Sequence, residues 1–373
     1  MTPDRLGRHF WKSRSESPEK GANWCEGVRK TPSRWPGHYI PCAMELAVDW
    51  IHLEPIPDLT LSMGEAVGAW RPGETALPVP EPGGLVLSLV AASVWAGDPG
   101  FAIPGAASVW EVLACEERER VVPGLPVFAH PSPSCGICPA CRSDSHALCL
   151  DAHRRPSGPG WFSRHRTLHP WNARRGVIQL PPGVDPGAAS LLEPLARILR
   201  LERRFPRRDR VVVVGSGLPA FLAGIALEGP RRRVLVGADP CGMASERGFH
   251  AACSGSETAR EALDGPADLV VLVDGSLESV RIALGLLSPG TSVVSLVPCP
   301  TPPGFLEAFH AHGASWTALV GTSPDDWAVS ARRLPGLSDR LAGLPFARLP
   351  LEQSGEAQSL LASNPELLRV ELS

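Results

Sequence analysis

Lysine is nearly missing from this chain of 373 residues: the three that occur, Lys12, Lys20 and Lys30, all lie near the N-terminus, and the one tyrosine, Tyr39, follows shortly after. Beyond residue 43 there is neither. Chemistry that passes a proton through a paired tyrosine and lysine therefore has no residues to use in the main body of the chain. Long hydrophobic runs are missing too: no apolar stretch of about 18 residues is present to span a bilayer, and the N-terminus lacks the apolar core of a secretory signal. Nor is there an excess of one charge. Lys and Arg number 36 against 39 Asp and Glu, a formal net charge of −3 with pI near 6.4. That balance gives no electrostatic reason to expect nucleic acid or an anionic membrane as partner, and a small molecule is expected instead.

What is there suffices for two domains with proper cores: 43% of the residues are hydrophobic, and the length is that of two ordinary domains. The 37 glycines and 40 prolines are many, but short of a disordered composition. Residues 1–43 differ from the rest. They are polar, show neither a helical nor a strand period, and read as a poorly ordered extension, with Met44 an alternative start.

The most specific signal is the string CGICPACRSDSHALC, which carries Cys135, Cys138, Cys141 and Cys149. Two adjoining Cys-x-x-Cys steps can wrap a tight turn around one ion, and a fourth thiolate returning after seven residues completes a closed, tetrahedral Zn²⁺ shell. With no position left for water, such a site is structural. Disulfides are the alternative, but nothing marks the chain as secreted, and thiolates that must stay reduced point to the cytoplasm. His146, inside the loop, reads as a surface residue.

A second signal is RVVVVGSGLPA, Arg210 to Ala220: a buried-strand run, a Gly-rich turn, then the apolar segment FLAGIAL. Gly215 permits the tight turn, Gly217 lets a pyrophosphate approach the backbone, and Ala220 replaces the third glycine where helix and strand pack closely. Pro219 suits the first turn of a helix whose amides would face the phosphates. A second strand, RVLVGAD, ends at Asp239, 24 residues after Gly215, where a carboxylate would meet the ribose hydroxyls. That carboxylate favours NAD over NADP. Arg231, Arg232 and Arg233 precede the strand and read as solvated surface. Further strands fit residues 267–273 and 291–297 with the helical pattern LESVRIALGLL between them, so the expectation is a parallel, doubly wound sheet.

The segments VVPGLPVFAHPSPSCGICPAC and VIQLPPGVDPGAASLLEPLA, with the order of the motifs above, resemble the zinc-containing alcohol dehydrogenases of the medium-chain dehydrogenase/reductase superfamily, from about Met44 to the C-terminus. The resemblance implies an α/β chain: a GroES-like β-barrel domain over 44–190, completed by 330–373, and a Rossmann domain over 191–329. It places Asp274, Gly275 and Ser276 near the nicotinamide and Arg369 near the cofactor phosphates, although a surface charge is an equal reading of Arg369. It also implies a homodimer or homotetramer.

The resemblance fails at the family's catalytic zinc. Where the family has its cysteine motif, this chain has Trp95, Ala96, Gly97 and Asp98, and where the family has Gly-His-Glu it has Gly105, Ala106 and Ala107. Only Asp98 and Glu193, the latter matching a third ligand in polyol-type members, remain as acids near the implied site, and each can equally be structural. Loss of about 5 kcal/mol of Lewis-acid stabilisation would slow a reaction roughly 10³- to 10⁴-fold, so ordinary alcohol oxidation is not expected. Two readings remain. One is an NAD(P)-dependent oxidoreductase that reduces an activated double bond, carbonyl or iminium without a catalytic zinc, using Trp95 as an apolar wall. The other is a degenerate, non-catalytic scaffold or partner subunit that still binds dinucleotide or nothing.

Overall fold

Short runs of β-branched and small apolar residues, broken by Pro and Gly, give the first half of the chain strands in preference to helices. The computed structural model describes residues 57–63, 70–76, 81–95, 108–115, 121–130, 133–149, 151, 161–206, 208–239, 242–319 and 321–373. The N-terminal extension, Met44, Asp98 and the segment holding Gly105, Ala106 and Ala107 lie outside the described residues. Pro57–Met63 (β1) and Trp70–Ala76 (β2) form an antiparallel pair. Leu85–Trp95 (β3), Ser108–Cys115 (β4), Pro126–Ala129 (β5), His165–Leu168 (β6) and Val177–Gln179 (β7) belong to a larger, mostly antiparallel sheet. The long β3 serves two partners on one edge. Its first part pairs with β6, and Ala92–Trp95 pairs with a strand from the C-terminus, Arg369–Leu372. Trp110 and Trp161 meet edge to face at 5.9 Å inside this sheet's core.

The second half alternates strand and helix. Arg210–Val214 (β8), Arg232–Val236 (β9), Ala251–Cys253 (β10), Leu269–Leu272 (β11), Ser292–Ser295 (β12) and Ser315–Ala318 (β13) form a six-stranded sheet in the order β10-β9-β8-β11-β12-β13, parallel throughout. The direction of strand addition reverses between β8 and β11, and that is where doubly wound sheets open a crevice at their carboxyl ends.

The valines of β8 show why such a sheet needs helices on both faces. Val211 and Val213 enter one core with the Leu192–Arg204, Leu218–Ala226 and Pro324–Ala342 helices; Val212 and Val214 enter a second core with Ser256–Leu263, Leu277–Gly285 and Phe305–Ala311. All four are fully buried, and each contributes on the order of 1.5–3 kcal/mol relative to exposure. A strand buried on both faces reads as a continuous apolar run, as RVVVV does.

Phe346–Leu349 (β14) and Arg369–Leu372 (β15) pair in parallel, and β15 joins β3, so the C-terminus returns to the first sheet. The two halves share a core. Trp327 lies 6.0 Å from Phe128 of β5 and stacks on His130 at 4.2 Å. A GroES-like barrel sheet joined to a Rossmann domain is the architecture the resemblance implied. Two details differ from the sequence reading: β9 stops at Val236, short of Asp239, and β10 and β13 extend the sheet by a strand at each side. Among the described residues, no helix is long and apolar enough to cross a membrane.

Candidate functional site

The four cysteines converge. Cys138 precedes a single helical turn, Pro139–Arg142, which returns Cys141 beside it, and a 3₁₀ turn over His146–Leu148 delivers Cys149. All four sulfurs lie within 4.8 Å of one another. The Sγ of Cys141 is 3.9 Å from that of Cys135 and 3.5 Å from that of Cys138. Four ligands about 2.3 Å from one tetrahedral ion would stand about 3.8 Å apart, so the set fits Zn²⁺, whereas a disulfide would need about 2.05 Å. Backbone N–H groups of Cys138 and Cys135 donate to the sulfurs of Cys135 and Cys149, both at 3.3 Å, as thiolates require. Burial, reinforced by the neighbouring thiols, pushes the Cys141 thiol up to about 12. A cation is what lets such a set shed its protons.

The lobe is fastened through a residue the sequence did not single out. Asp144 adopts a left-handed backbone (φ 61), a conformation that costs a non-glycine residue about 1–2 kcal/mol. Its carboxylate meets Arg200 at 3.1 Å, Arg203 at 3.3 Å and Arg204 at 2.9 Å, and its carbonyl accepts from Arg200. Burial on its own would raise the Asp144 pKa, but the three guanidinium groups outweigh it and hold the carboxyl below its ordinary value. Arg200 is 2% exposed; it also donates to the Gly321 carbonyl and faces Asp326 at 3.9 Å. Asp326 in turn closes a capping box with Ser323 at the start of the Pro324–Ala342 helix. His146 is half-buried, 3.3 Å from Asp144 and hydrogen-bonded to Ser134, so it is more engaged than a plain surface residue.

The glycine turn has the expected form. Gly215 (φ 121) follows β8, and Gly217 (φ 78) precedes the Leu218–Ala226 helix, with Pro219 in its first turn and Ala220 fully buried. A Cβ on Gly215 would stand 2.7 Å from the Asp274 carboxylate and from Val273. Gly237, at the end of β9, is a further requirement: a Cβ there would stand 2.0 Å from the Gly215 carbonyl. Asp239 is half-buried and accepts the Met243 and Ala244 amides at 2.8 and 3.0 Å, which fixes its carboxylate just beyond β9. Arg233 donates to the carbonyls of Gly224 and Leu227, at the opposite end of the helix whose first turn faces the glycine loop. It caps that end.

Next to this turn lies a small cleft of about 20 Å³, lined by residues of both halves. Trp95 from β3 forms one wall. Pro194, Arg197 and Ile198 of the Leu192–Arg204 helix form another, and Pro219, Val273, Leu296 and Val297 close it at the carboxyl ends of the parallel strands. Glu193 lies behind Arg197, 3% exposed; its Oε1 accepts from Arg197 Nε at 2.8 Å. These residues do not suit a catalytic zinc. The indole Trp95 cannot ligate one, and Glu193 is already held by a cation. Among the described residues, no second group of Cys, His, Asp or Glu side chains converges as a metal site would need.

Arg369 is not the surface charge that was one reading of it: it sits in β15, 1% exposed, where it donates to the Gly187 carbonyl, approaches Glu371 at 3.8 Å and lies over the Phe346 ring at 4.8 Å.

No family model and no curated protein matches the chain by sequence. Solved structures do match in fold. An alcohol dehydrogenase from Thermotoga maritima superposes with a TM-score of 0.73 at 18% identity, covering 85% of this chain and 99% of that one. A protein of Sinorhizobium meliloti described as a zinc-binding dehydrogenase, bound to NADP, gives 0.69 at 20% identity over 85% and 99%. An alcohol dehydrogenase from Escherichia coli complexed with NADH gives 0.70 at 17% identity over 85% and 99%. At these identities the likeness fixes the fold.

Proposed function

We propose that this chain is an NAD(P)-dependent oxidoreductase acting on a small molecule without a catalytic metal, and that Cys135, Cys138, Cys141 and Cys149 hold one structural zinc. The observation that carries the reading is the cleft: it lies over the carboxyl ends of the parallel strands beside the Gly215–Gly217 turn, and its walls are apolar apart from Arg197. Gly215, Gly217 and Ala220 would admit the pyrophosphate against the first turn of the Leu218–Ala226 helix. Asp239 would accept the ribose hydroxyls. A carboxylate has about four acceptor sites, so the two amides it already binds leave capacity for them, and the same charge disfavours a 2′-phosphate and favours NAD.

The bound dinucleotide supplies the hydride. The chain's own residues orient the acceptor against Trp95 and exclude water from it. Without a Lewis acid the acceptor must already be activated, as in a conjugated double bond, a conjugated carbonyl or an iminium ion. The resemblance offers Asp98 as the acid for proton delivery, since Glu193 is engaged by Arg197.

Quenching of intrinsic tryptophan by NADH tests the reading first. Absence of binding at millimolar concentration would leave a non-catalytic partner protein in its place. Asp239→Ala should weaken NADH binding about 10-fold or more, as loss of charged hydrogen bonds does, and should narrow the preference over NADPH; equal affinities in wild type and variant would remove Asp239 from the site. Metal analysis should return one zinc per chain. Turnover of a conjugated or iminium substrate should survive a strong chelator, and simple alcohols should give none. Two tightly held zinc ions would refute the metal-free cleft.

A further inference from the structure

We propose that Arg233, Arg247 and Arg340 form a receptor for a phosphate group, at the end of the Rossmann domain away from the cleft. The site is independent of the oxidoreductase reading, because it lies at the far end of the Leu218–Ala226 helix from the glycine turn.

Two helices end here. The carbonyls of Gly224 and Leu227 accept from Arg233 and that of Ile225 from Arg340, while Arg247 donates to the Arg340 and Gly343 carbonyls at the close of the Pro324–Ala342 helix. Each helix C-terminus carries about half a negative charge, so the pair balances about one guanidinium and leaves an excess of about two positive charges. Arg333 shows how such a contact is otherwise compensated: it donates to the Ala226 carbonyl, and Glu202 and Glu228 meet its charge. Arg233, Arg247 and Arg340 make no ion pair with any described residue. Burial first, and then the Arg340 charge, hold the Arg233 guanidinium below its ordinary pKa, against a smaller opposing pull from Glu228.

Two of the tips converge on one glycine. A Cβ on Gly248 would stand 3.0 Å from Arg233 Nη2 and 3.3 Å from Arg340 Nη2. Neither nitrogen hydrogen-bonds to a described residue. Gly248 also has φ 92, so the backbone as well as the space calls for glycine. The Nε atoms of Arg233 and Arg247 are buried without a partner, so the capped carbonyls do not exhaust these side chains. All three arginines are half-buried and keep a route to solvent. Guanidinium tips this close repel one another, and an anion that accepts from both turns the repulsion into attraction. A phosphate has the oxygens to do so and a charge near the excess; a carboxylate or chloride brings only half of it.

Calorimetric titration with inorganic phosphate, against chloride at equal ionic strength, tests the site. Wild-type protein should bind with a Kd of about 1 mM or tighter. Arg233→Met and Arg340→Met should each weaken binding about 10-fold or more, as loss of a charged hydrogen bond does, and Arg340→Lys, which keeps the charge without the fork, should fall between. These side chains also cap a helix, so a measurement on wild-type protein stands beside the variants. Phosphate at about ten times its Kd should slow phenylglyoxal modification of Arg233 and Arg340, followed peptide by peptide by mass, about 10-fold relative to chloride. Glycerol 3-phosphate separates the sources: equal affinity assigns the free ion, tighter binding assigns a phosphomonoester, and either supports the site. Phosphate that acts no differently from chloride, or an affinity unchanged in Arg340→Met, overturns the proposal. So does phosphate binding that NADH abolishes, since the ion would then occupy the glycine turn.

Discussion

Serine in place of Cys141 should strip the protein of its zinc and lower its resistance to denaturant more than any other single change. Cys141 is buried, its sulfur is the neighbour of two others, and its helical turn carries the chain on to Asp144. In small zinc domains the metal contributes about 10–16 kcal/mol of apparent folding free energy. Here the loss should be smaller, because the lobe is also fastened by the arginines around Asp144. Zinc content and urea midpoint measured together decide the matter. The variant should lose both, and wild-type protein treated with chelator under mild denaturant should approach it. A variant with full zinc and an unchanged midpoint would show that the four sulfurs do not act as one site.

Replacing Arg200 by methionine should cost about 3–5 kcal/mol, the range for removing one partner of a buried ion pair. Methionine matches the stem in length and fills the space, so cavity formation is a minor part of the effect. What disappears is the link between three places: the Asp144 carboxylate and carbonyl, the Gly321 carbonyl, and the Asp326 carboxylate beneath the helix cap. Arg203 and Arg204 still reach Asp144, and Arg203 reaches Asp326 at 3.0 Å, but they stand 47% and 40% exposed at the surface and are screened. Arg200→Lys should recover only part of the loss, since an ammonium cannot span a carboxylate and two carbonyls in one plane. A change below about 1 kcal/mol would mean that water already serves these groups.

What the sequence made legible was local. The cysteine spacing closes within one loop, and RVVVVGSGLPA declares a buried strand, a tight turn and a helix within eleven residues, so both survive without knowledge of what lies around them. Asp144 does not. Its partners are fifty-six to sixty positions away on another helix, and a lone aspartate in a polar loop looks like any turn residue. β10 and β13 stayed hidden because an edge strand is partly solvated: β10 is only three residues long, and β13 carries the polar Ser315 and Thr317. Gly237 could have been found: a glycine directly after the second strand of a Rossmann pattern is where backbone meets the first turn. So could Arg197, four positions after Glu193, since an i,i+4 acid–base pair is visible in any helical reading.

Glu193, Arg197, Arg200 and Arg204 follow one another along the Leu192–Arg204 helix at intervals of four, three and four. At 3.6 residues per turn these intervals keep them on a single stripe, about 16 Å long at 1.5 Å per residue. One end of the stripe lines the cleft and the other grips the cysteine lobe. The helix therefore fixes a phase as well as a distance. Deleting one residue between Arg197 and Arg200 would rotate one end about 100° against the other, and no rotation of the whole helix could satisfy both. Chain length between the two ends is constrained to the residue even though most of the intervening side chains touch neither, so insertions and deletions should be tolerated far less in this helix than substitutions of one apolar residue for another.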